Sequence, residues 1–355
     1  LGLIGGSIAK AIRHYYPDTR IIAHTRSQST IHYALSEQII DAACDQVDMR
    51  FSDCDYIFLC APVEANASYL KTLKSVMNPD CILTDVGSTK TDIHTHIIEF
   101  GLERQFIGGH PMAGSEKTGI ANAKRHLLEN AYYIITPASL VPQSAVDDYV
   151  ELVRSLKALP LVLDYHEHDF VTGAISHLPH LIAAALVNLV HDEDTPSETM
   201  RLVAAGGFKD ITRIASSNPV VWEHILLSNP VNIVKGLQTF RNEIDTMINA
   251  IQSEDARGIY SFFDSAKDYR NSIPEHATGV IRVNYEVYID IPDVPNAIAK
   301  AVNIISDAGI NLKNIGITHN REDNEGVLRL SFYDNDSAIA AAEQLKQHQY
   351  TVYER

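Results

Sequence analysis

Short apolar runs alternate with stretches of helical periodicity through the first half of the chain. The runs cover residues 20–25, 56–60, 81–86, 106–107 and 132–135, with helix-like stretches such as 31–40 and 67–77 between them. This alternation predicts a parallel, doubly wound sheet with helices on both faces. Ligands of such sheets sit beyond the carboxyl ends of the strands. Three stretches fall there: Ala61-Pro62-Val63, Gly87-Ser88-Thr89-Lys90, and the glycine-punctuated loop 108–119 that follows Phe106-Ile107.

From about residue 163 the strand-like runs stop. Helical periodicity dominates to about 273, over 166–189, 198–208, 210–216, 220–228, 230–252 and 255–271. The segment Leu181-Ile182-Ala183-Ala184-Ala185-Leu186-Val187 is apolar nearly all round and so requires burial on several sides. In so small a helical region that burial calls for a second copy of the chain, and a homodimer is expected. A polar break over 271–279, with Pro274 and Gly279, reads as a linker. Beyond it, strands at 281–289, 311–318, 327–332 and 350–353 and helices at 297–307 and 337–347 give the order βαββαβ, a small open-faced sandwich.

Composition narrows the partners. A chain of 355 residues suggests two or three domains, and 45% apolar with 21% charged residues is ordinary for a soluble globular protein. The net charge of −16 speaks against nucleic acid or an anionic membrane as partner. Any anionic substrate must therefore be met by a local cluster of cations. No apolar run approaches the ~20 residues of a membrane span. Cys44, Cys54, Cys60 and Cys81 lack Cys-x-x-Cys spacing and fit a reducing cytoplasm better than a disulfide framework or zinc site.

The chain opens on Leu1-Gly2-Leu3-Ile4-Gly5-Gly6-Ser7, a glycine turn leading into a helix with Ile4, Ile8, Ala11 and Ile12 on one face. Gly2 and Gly5 match the second and third glycines of the dinucleotide fingerprint Gly-x-Gly-x-x-Gly; a plain tight turn is the competing reading. The first glycine and its strand would lie before Leu1, and a sheet without that central strand is expected to fold poorly and hold cofactor weakly. The next strand of such a unit normally ends on an acid that binds the ribose hydroxyls of NAD. Here it ends His24-Thr25-Arg26-Ser27. The missing acid and a guanidinium suited to a 2′-phosphate tilt the cofactor toward NADP, unless Arg26 is only a solvated charge.

Further chemistry is clustered. His110 stands in a loop with Ser115, Glu116 and Lys117; a histidine there can titrate near neutral pH, and the glycines admit close approach to the backbone. An incidental surface histidine is the other reading. His168, His177 and His180 lie along one helical stretch, the last two as an i,i+3 pair. Anion binding, a core or capping role and a metal site stay open for them, although no third ligand of suitable spacing is evident. In Gly206-Gly207-Phe208-Lys209-Asp210-Ile211-Thr212-Arg213, Lys209 and Arg213 suit a carboxylate or phosphate, with an Asp210–Arg213 salt bridge as the alternative. Trp222, the only tryptophan, reads as core.

Together these features resemble the prephenate/arogenate dehydrogenases of tyrosine biosynthesis, followed by an ACT regulatory domain. The resemblance rests on Asp85-Val86-Gly87-Ser88-Thr89-Lys90, Gly109-His110-Pro111-Met112-Ala113-Gly114-Ser115-Glu116, Ser176-His177-Leu178-Pro179-His180 and Gly207-Phe208-Lys209-Asp210-Ile211-Thr212-Arg213. It implies a Rossmann-like α/β doubly wound dinucleotide-binding domain over 1–163. An all-α substrate and dimerisation domain over 164–273 and a small α+β ACT-like domain over 279–355 complete the implied order. By position it makes His110 the catalytic base and Ser88 its hydrogen-bonding companion near the nicotinamide. Ser115, Glu116, His177, His180, Lys209 and Arg213 become substrate-pocket residues, with His168 and Trp222 close by. Cofactor contacts are expected from Gly2, Leu3, Ile4, Gly5, Thr25, Arg26, Ala61, Pro62 and Ser88. The implied reaction is oxidative decarboxylation of prephenate with hydride transfer to NAD or NADP and no metal. Arogenate is the alternative substrate, its ammonium group a match for Glu116.

The ACT resemblance rests on Asp290-Ile291-Pro292-Asp293-Val294-Pro295-Asn296 and Ala308-Gly309-Ile310-Asn311-Leu312. Asn296 replaces a usual glycine, and asparagine tolerates a left-handed backbone better than most residues. Such domains bind amino acids between paired copies, which implies Asn296 and Asn311 as effector contacts and tyrosine as effector. Two rival readings remain. A β-hydroxyacid dehydrogenase-like oxidoreductase relies on a lysine at a helix start and carries no regulatory sandwich. A nicotinamide or amino-acid sensor would have no need of a base, a hydroxyl and a cationic pocket together.

Overall fold

The computed structural model describes residues 1–61, 63–114, 117–273, 285–292, 294–320 and 325–354. It divides into two compact units, Leu1–Gly279 and Val280–Arg355. The first begins with α1 (Leu3–Tyr15), β1 (Ile22–His24), α2 (Gln28–Ser36), β2 (Ala42–Cys44), β3 (Tyr56–Leu59), α3 (Val63–Val76), β4 (Ile82–Asp85) and α4 (Thr91–Phe100). There follow β5 (Phe106–Pro111), β6 (Tyr132–Pro137), α5 (Gln143–Ser155) and β7 (Leu159–Val162). One sheet has the order β3-β4-β5-β6-β7, and β1 and β2 form a separate parallel pair.

Alternate residues of the central strands enter opposite cores, as the two-residue period requires. Leu83 and Phe106 pack with Leu70, Ile93 and Ile97 under α3 and α4. Ile82 and Ile107 pack on the other face with Ile8, Tyr149 and Val153 from α1 and α5. Burial of both faces explains the near-continuous apolar runs.

Two features depart from the expected sheet. Strands β2 and β7 lie outside the expected strands, because both are short and partly exposed and Pro160 interrupts the apolar run of β7. Strand β6 runs antiparallel to β5 rather than parallel. A parallel return needs a crossover of a dozen or more residues, usually a helix. Among the described residues the β5–β6 connection holds only the 3-10 turn Ile120–Asn122, so the chain folds back beside β5.

The helical part comprises α6 (Tyr165–Thr172), a π-helical turn Gly173–His177, α7 (Leu178–Glu193), α8 (Thr199–Val203) and α9 (Gly206–Thr212). A 3-10 turn Arg213–Ser216, α10 (Pro219–Ser228), α11 (Pro230–Gln252) and α12 (Ala256–Ser272) follow. The stretch expected as one helix over 198–208 breaks, with Gly206-Gly207 opening α9 instead of closing its predecessor. The continuous helical stretch Tyr165–Glu193 reaches a mean hydropathy of 1.6 and is long and apolar enough to cross a membrane by length and composition, contrary to the expectation that no run approaches a span. It nevertheless carries the buried His168, Asp169 and His177, each hydrogen-bonded within the unit. Apolar side chains stay uncovered along this part, including Ile175, Leu189, Leu227, Val231 and Phe263. An apolar surface of this kind marks an association face.

In the second unit, β8 (Tyr285–Pro292), α13 (Ala297–Asp307), β9 (Leu312–Asn320), β10 (Glu325–Phe332), α14 (Asn335–Gln347) and β11 (Val352–Glu354) give the expected βαββαβ order. The antiparallel sheet β11-β8-β10-β9 packs Ile289 and Leu330 against Ala301, Ile305, Ala341 and Leu345 of the two helices. Asn296 caps α13 at φ 74°, in the left-handed region it was expected to tolerate. Residues 281–284 of the expected first strand, and Asp293, lie outside the described residues.

Candidate active site

His110 lies inside β5, not in a loop after it, and pairs with Ile134 of β6. The antiparallel neighbour extends the strand through Gly108-Gly109, where the apolar run stops. A Cβ on Gly109 would stand 2.7 Å from both the Asp85 carbonyl oxygen and the Tyr133 hydroxyl, so only glycine lets β5 close on β4 here.

The partner of His110 is His168. His110 Nδ1 lies 2.8 Å from His168 Nε2, and His168 Nδ1 lies 2.8 Å from Asp169 Oδ1. Asp169 also accepts the backbone N–H groups of Lys90 (2.7 Å) and Thr91 (2.8 Å). From α6 it thereby caps α4, which has no side-chain cap of its own. Burial alone would raise the Asp169 pKa; the bonds from His168, Thr91 and Lys90 outweigh it and hold the carboxyl below its ordinary value. An ionised Asp169 places the His168 proton on Nδ1 and leaves Nε2 as an acceptor. His110 must then donate from Nδ1, which leaves its own Nε2 as the lone pair. Burial, then the neighbouring His168, Lys90 and His177, push the His110 pKa well below its ordinary value. His110 is therefore a neutral imidazole with Nε2 as its basic atom.

A second buried carboxylate holds the adjoining loop. Asp85 Oδ2 binds Lys90 Nζ and accepts Gly87 N–H at 2.8 Å, while Oδ1 accepts Gly109 N–H at 3.2 Å. The loop of Ser88 and the strand of His110 thus hang on one side chain. Burial, opposed by the charge of Asp85, lowers the Lys90 pKa. Ser88, the expected companion, makes no hydrogen bond to His110 among the described residues. Its neighbour Thr89 meets Ser228 of α10 at 2.9 Å, joining the loop to the helical part.

The remaining expected residues fall in three groups. Trp222 is not simple core: His180 stacks on its ring at 3.9 Å, and His177 meets its edge at 6.1 Å. His180 Nδ1 donates to the Ser176 carbonyl at 2.8 Å, and burial lowers the His177 pKa to about 4. No three His, Cys, Asp or Glu among the described residues are placed to hold a metal ion. Lys209 lies exposed on α9, and Arg213 opens the following 3-10 turn; both elements pack on α7, which carries His180. Pro62, Ser115 and Glu116 lie outside the described residues.

The start of α1 fits a dinucleotide. Gly2 caps the helix without a side-chain bond, and a Cβ there would meet nothing within 4 Å. Leu3 and Ile4 form the first helical positions, so their N–H groups have no partner within the helix. A Cβ on Gly5 would lie 2.9 Å from Cys60 Cβ, so glycine lets the helix start close on the end of β3, beside Ala61. Open N–H groups and the positive helix end suit a pyrophosphate. Thr25 and Arg26 follow β1, Arg26 exposed.

Comparison with known proteins agrees with this geometry. Residues 8–161 match the model of the nucleotide-binding domain of prephenate dehydrogenase, and residues 164–265 that of its dimerisation domain. The chain is 39% identical over 338 residues to a prephenate dehydrogenase of Bacillus subtilis, covering 95% of this chain and 91% of that relative. A prephenate dehydrogenase of Lactococcus lactis is 34% identical over 336 residues, covering 94% of this chain and 92% of the relative. The structure resembles that of Aquifex aeolicus prephenate dehydrogenase in complex with hydroxyphenyl propionate and NAD+. The TM-score is 0.72 at 29% identity, covering 77% of this chain and 96% of that one. The chain belongs to the prephenate dehydrogenase family.

Proposed function

We propose that His110 is the base with which this chain performs the oxidative decarboxylation of prephenate to 4-hydroxyphenylpyruvate in L-tyrosine biosynthesis. What carries the reading is the His110–His168–Asp169 relay, which leaves His110 Nε2 as a lone pair. Prephenate bears a ring carboxylate, a pyruvyl carboxylate and, on the opposite ring carbon, a hydroxyl. His110 Nε2 takes the hydroxyl proton as that carbon gives up its hydride. The bound nicotinamide supplies the hydride acceptor. His110 then carries positive charge, which its Nδ1–H shares with His168 and which the Asp169 carboxylate balances. The dienone is a vinylogous β-keto acid, so carbon dioxide leaves as the ring becomes aromatic. Lys209, Arg213, His177 and His180 hold the two carboxylates inside a chain of net charge −16, with Trp222 as a wall of the pocket.

The uncovered apolar face of the helical part joins two copies in a homodimer. Arg26 at the end of β1, with no acid beside it, favours NADP over NAD. Tyrosine is the effector of the second unit, at Asn296 and Asn311. Four free cysteines fit the reducing cytoplasm. A lysine does stand at a helix start, but Lys90 Nζ is committed to Asp85, which disfavours the β-hydroxyacid dehydrogenase chemistry. Absorbance at 340 nm with prephenate or arogenate, and NAD or NADP, tests these assignments. Prephenate with NADP is expected to give the highest kcat/KM; turnover of arogenate alone would overturn the substrate assignment.

A further inference from the structure

Asn229 stands at the junction of α10 and α11, almost fully buried, where it ends one helix and begins the next. Its carboxamide faces three groups. Nδ2 donates to the Asp169 carbonyl oxygen at 2.7 Å and lies 3.4 Å from His177 Nδ1, while Oδ1 accepts from Asn232 Nδ2 at 2.8 Å. A carbonyl oxygen only accepts, so the Asp169 contact fixes which end of the amide is the donor. The second hydrogen of Nδ2 then faces His177 Nδ1, and that nitrogen must be the lone pair.

The local chain is shaped for this contact. The π-helical turn Gly173–His177 sets His177 out of α-helical phase with α6, a device frequent at functional sites. A Cβ on Gly173 would sit in ordinary contact, 3.4 Å, with Asn229 Nδ2 and Asn232 Cβ, so this turn lies directly against the start of α11. Burial keeps His177 neutral, with a single ring proton to place. Among the described residues Asn229 is the only hydrogen-bond partner of the His177 ring.

We propose that Asn229 is a positioning residue that fixes His177 as the Nε2–H tautomer, so that a neutral imidazole presents a donor to a substrate carboxylate. This rests on the reading of His177 as a pocket residue. A donor without charge adds hydrogen bonding to the dianion while leaving the cationic work to Lys209 and Arg213. It also avoids a second positive charge beside His110.

The test combines histidine 15N NMR on the intact enzyme with steady-state kinetics. In the wild type, His177, identified by its loss in His177→Gln, is expected to show the Nε2–H pattern at neutral pH. Asn229→Asp replaces the donor facing Nδ1 by an acceptor, so the pattern should change to Nδ1–H, which takes the proton from Nε2. KM for prephenate should rise roughly 10–100-fold, the range for one hydrogen bond to a charged group, with kcat much less affected. A second pair of variants guards against misfolding at Asn229. His177→Gln carries its amide nitrogen near the place of Nε2 and should raise KM less than His177→Asn, which carries it near Nδ1; an equal rise in both would count against the Nε2–H donor. An Nδ1–H signal in the wild type, or an unchanged signal in Asn229→Asp, overturns the proposal. A changed signal with unchanged KM removes His177 from the pocket and the proposal with it, while His110 catalysis stands.

Discussion

Replacing His110 by asparagine is expected to lower kcat by roughly 10²–10⁴-fold, the usual contribution of a positioned general base. Binding of prephenate should persist, because the cations proposed to hold its carboxylates lie on other elements, Lys209 on α9 and Arg213 after it. Asparagine still presents an amide to His168 but has no atom that can take up the hydroxyl proton. Turnover followed at 340 nm checks this, with KM measured alongside. A variant within a few fold of wild-type kcat would remove His110 from the chemistry.

Asp169→Asn is the second change with a large expected effect, although Asp169 bonds His168 rather than the basic ring of His110. Three donors converge on this carboxylate: the Lys90 and Thr91 backbone N–H groups and the His168 ring. An amide has one acceptor oxygen, and the Oδ1 place it takes serves two donors, Lys90 N–H and His168 Nδ1–H, so its NH₂ turns on Thr91 N–H. The His168 tautomer is kept, but the negative charge is lost. That charge balances the positive charge that His110 takes up with the hydroxyl proton and shares with His168. Leaving a buried charge without its partner costs ~3–5 kcal/mol. A loss of roughly 10²–10⁴-fold is expected here, read from kcat at saturating substrate. The weakened cap of α4 costs about 1 kcal/mol of stability besides. Thermal unfolding separates the two: a folded Asp169→Asn enzyme with near-normal kcat would show that the Asp169 charge does not support proton uptake at His110.

The helices were legible where apolar periodicity met a clear stop signal. Thus α11 runs from Pro230 to Gln252 and α13 from Ala297 to Asp307, as the periodicity predicts. Strands β2 and β7 were not legible, since three residues are too short a pattern in β2 and Pro160 breaks the apolar run of β7. The position of His110 was read one step wrong. Gly108-Gly109 interrupts the apolar run, and only the tertiary pairing with β6 shows that the strand continues. The histidines proposed for the site stand in glycine and histidine motifs, but their connections were not legible. His168 is 58 positions from His110, and no spacing rule joins them. Asp169 and Asp85 look like ordinary acids in the sequence. Their burial beside helix N–H groups and a lysine, which gives them their roles, is a product of packing between elements.

The pH dependence of kcat/KM tests the central claim most directly, because it reports the ionisation of the free enzyme. His110 must be unprotonated to act, and burial with its neighbours His168, Lys90 and His177 places its pKa well below the ordinary 6.5. A depressed pKa keeps the base available as pH falls through 6.5, and activity is lost only when the pH reaches the lowered value. The predicted result is a kcat/KM for prephenate that stays level from neutral pH to well below 6.5 before its acid limb begins. An acid limb centred at or above 6.5 would contradict it.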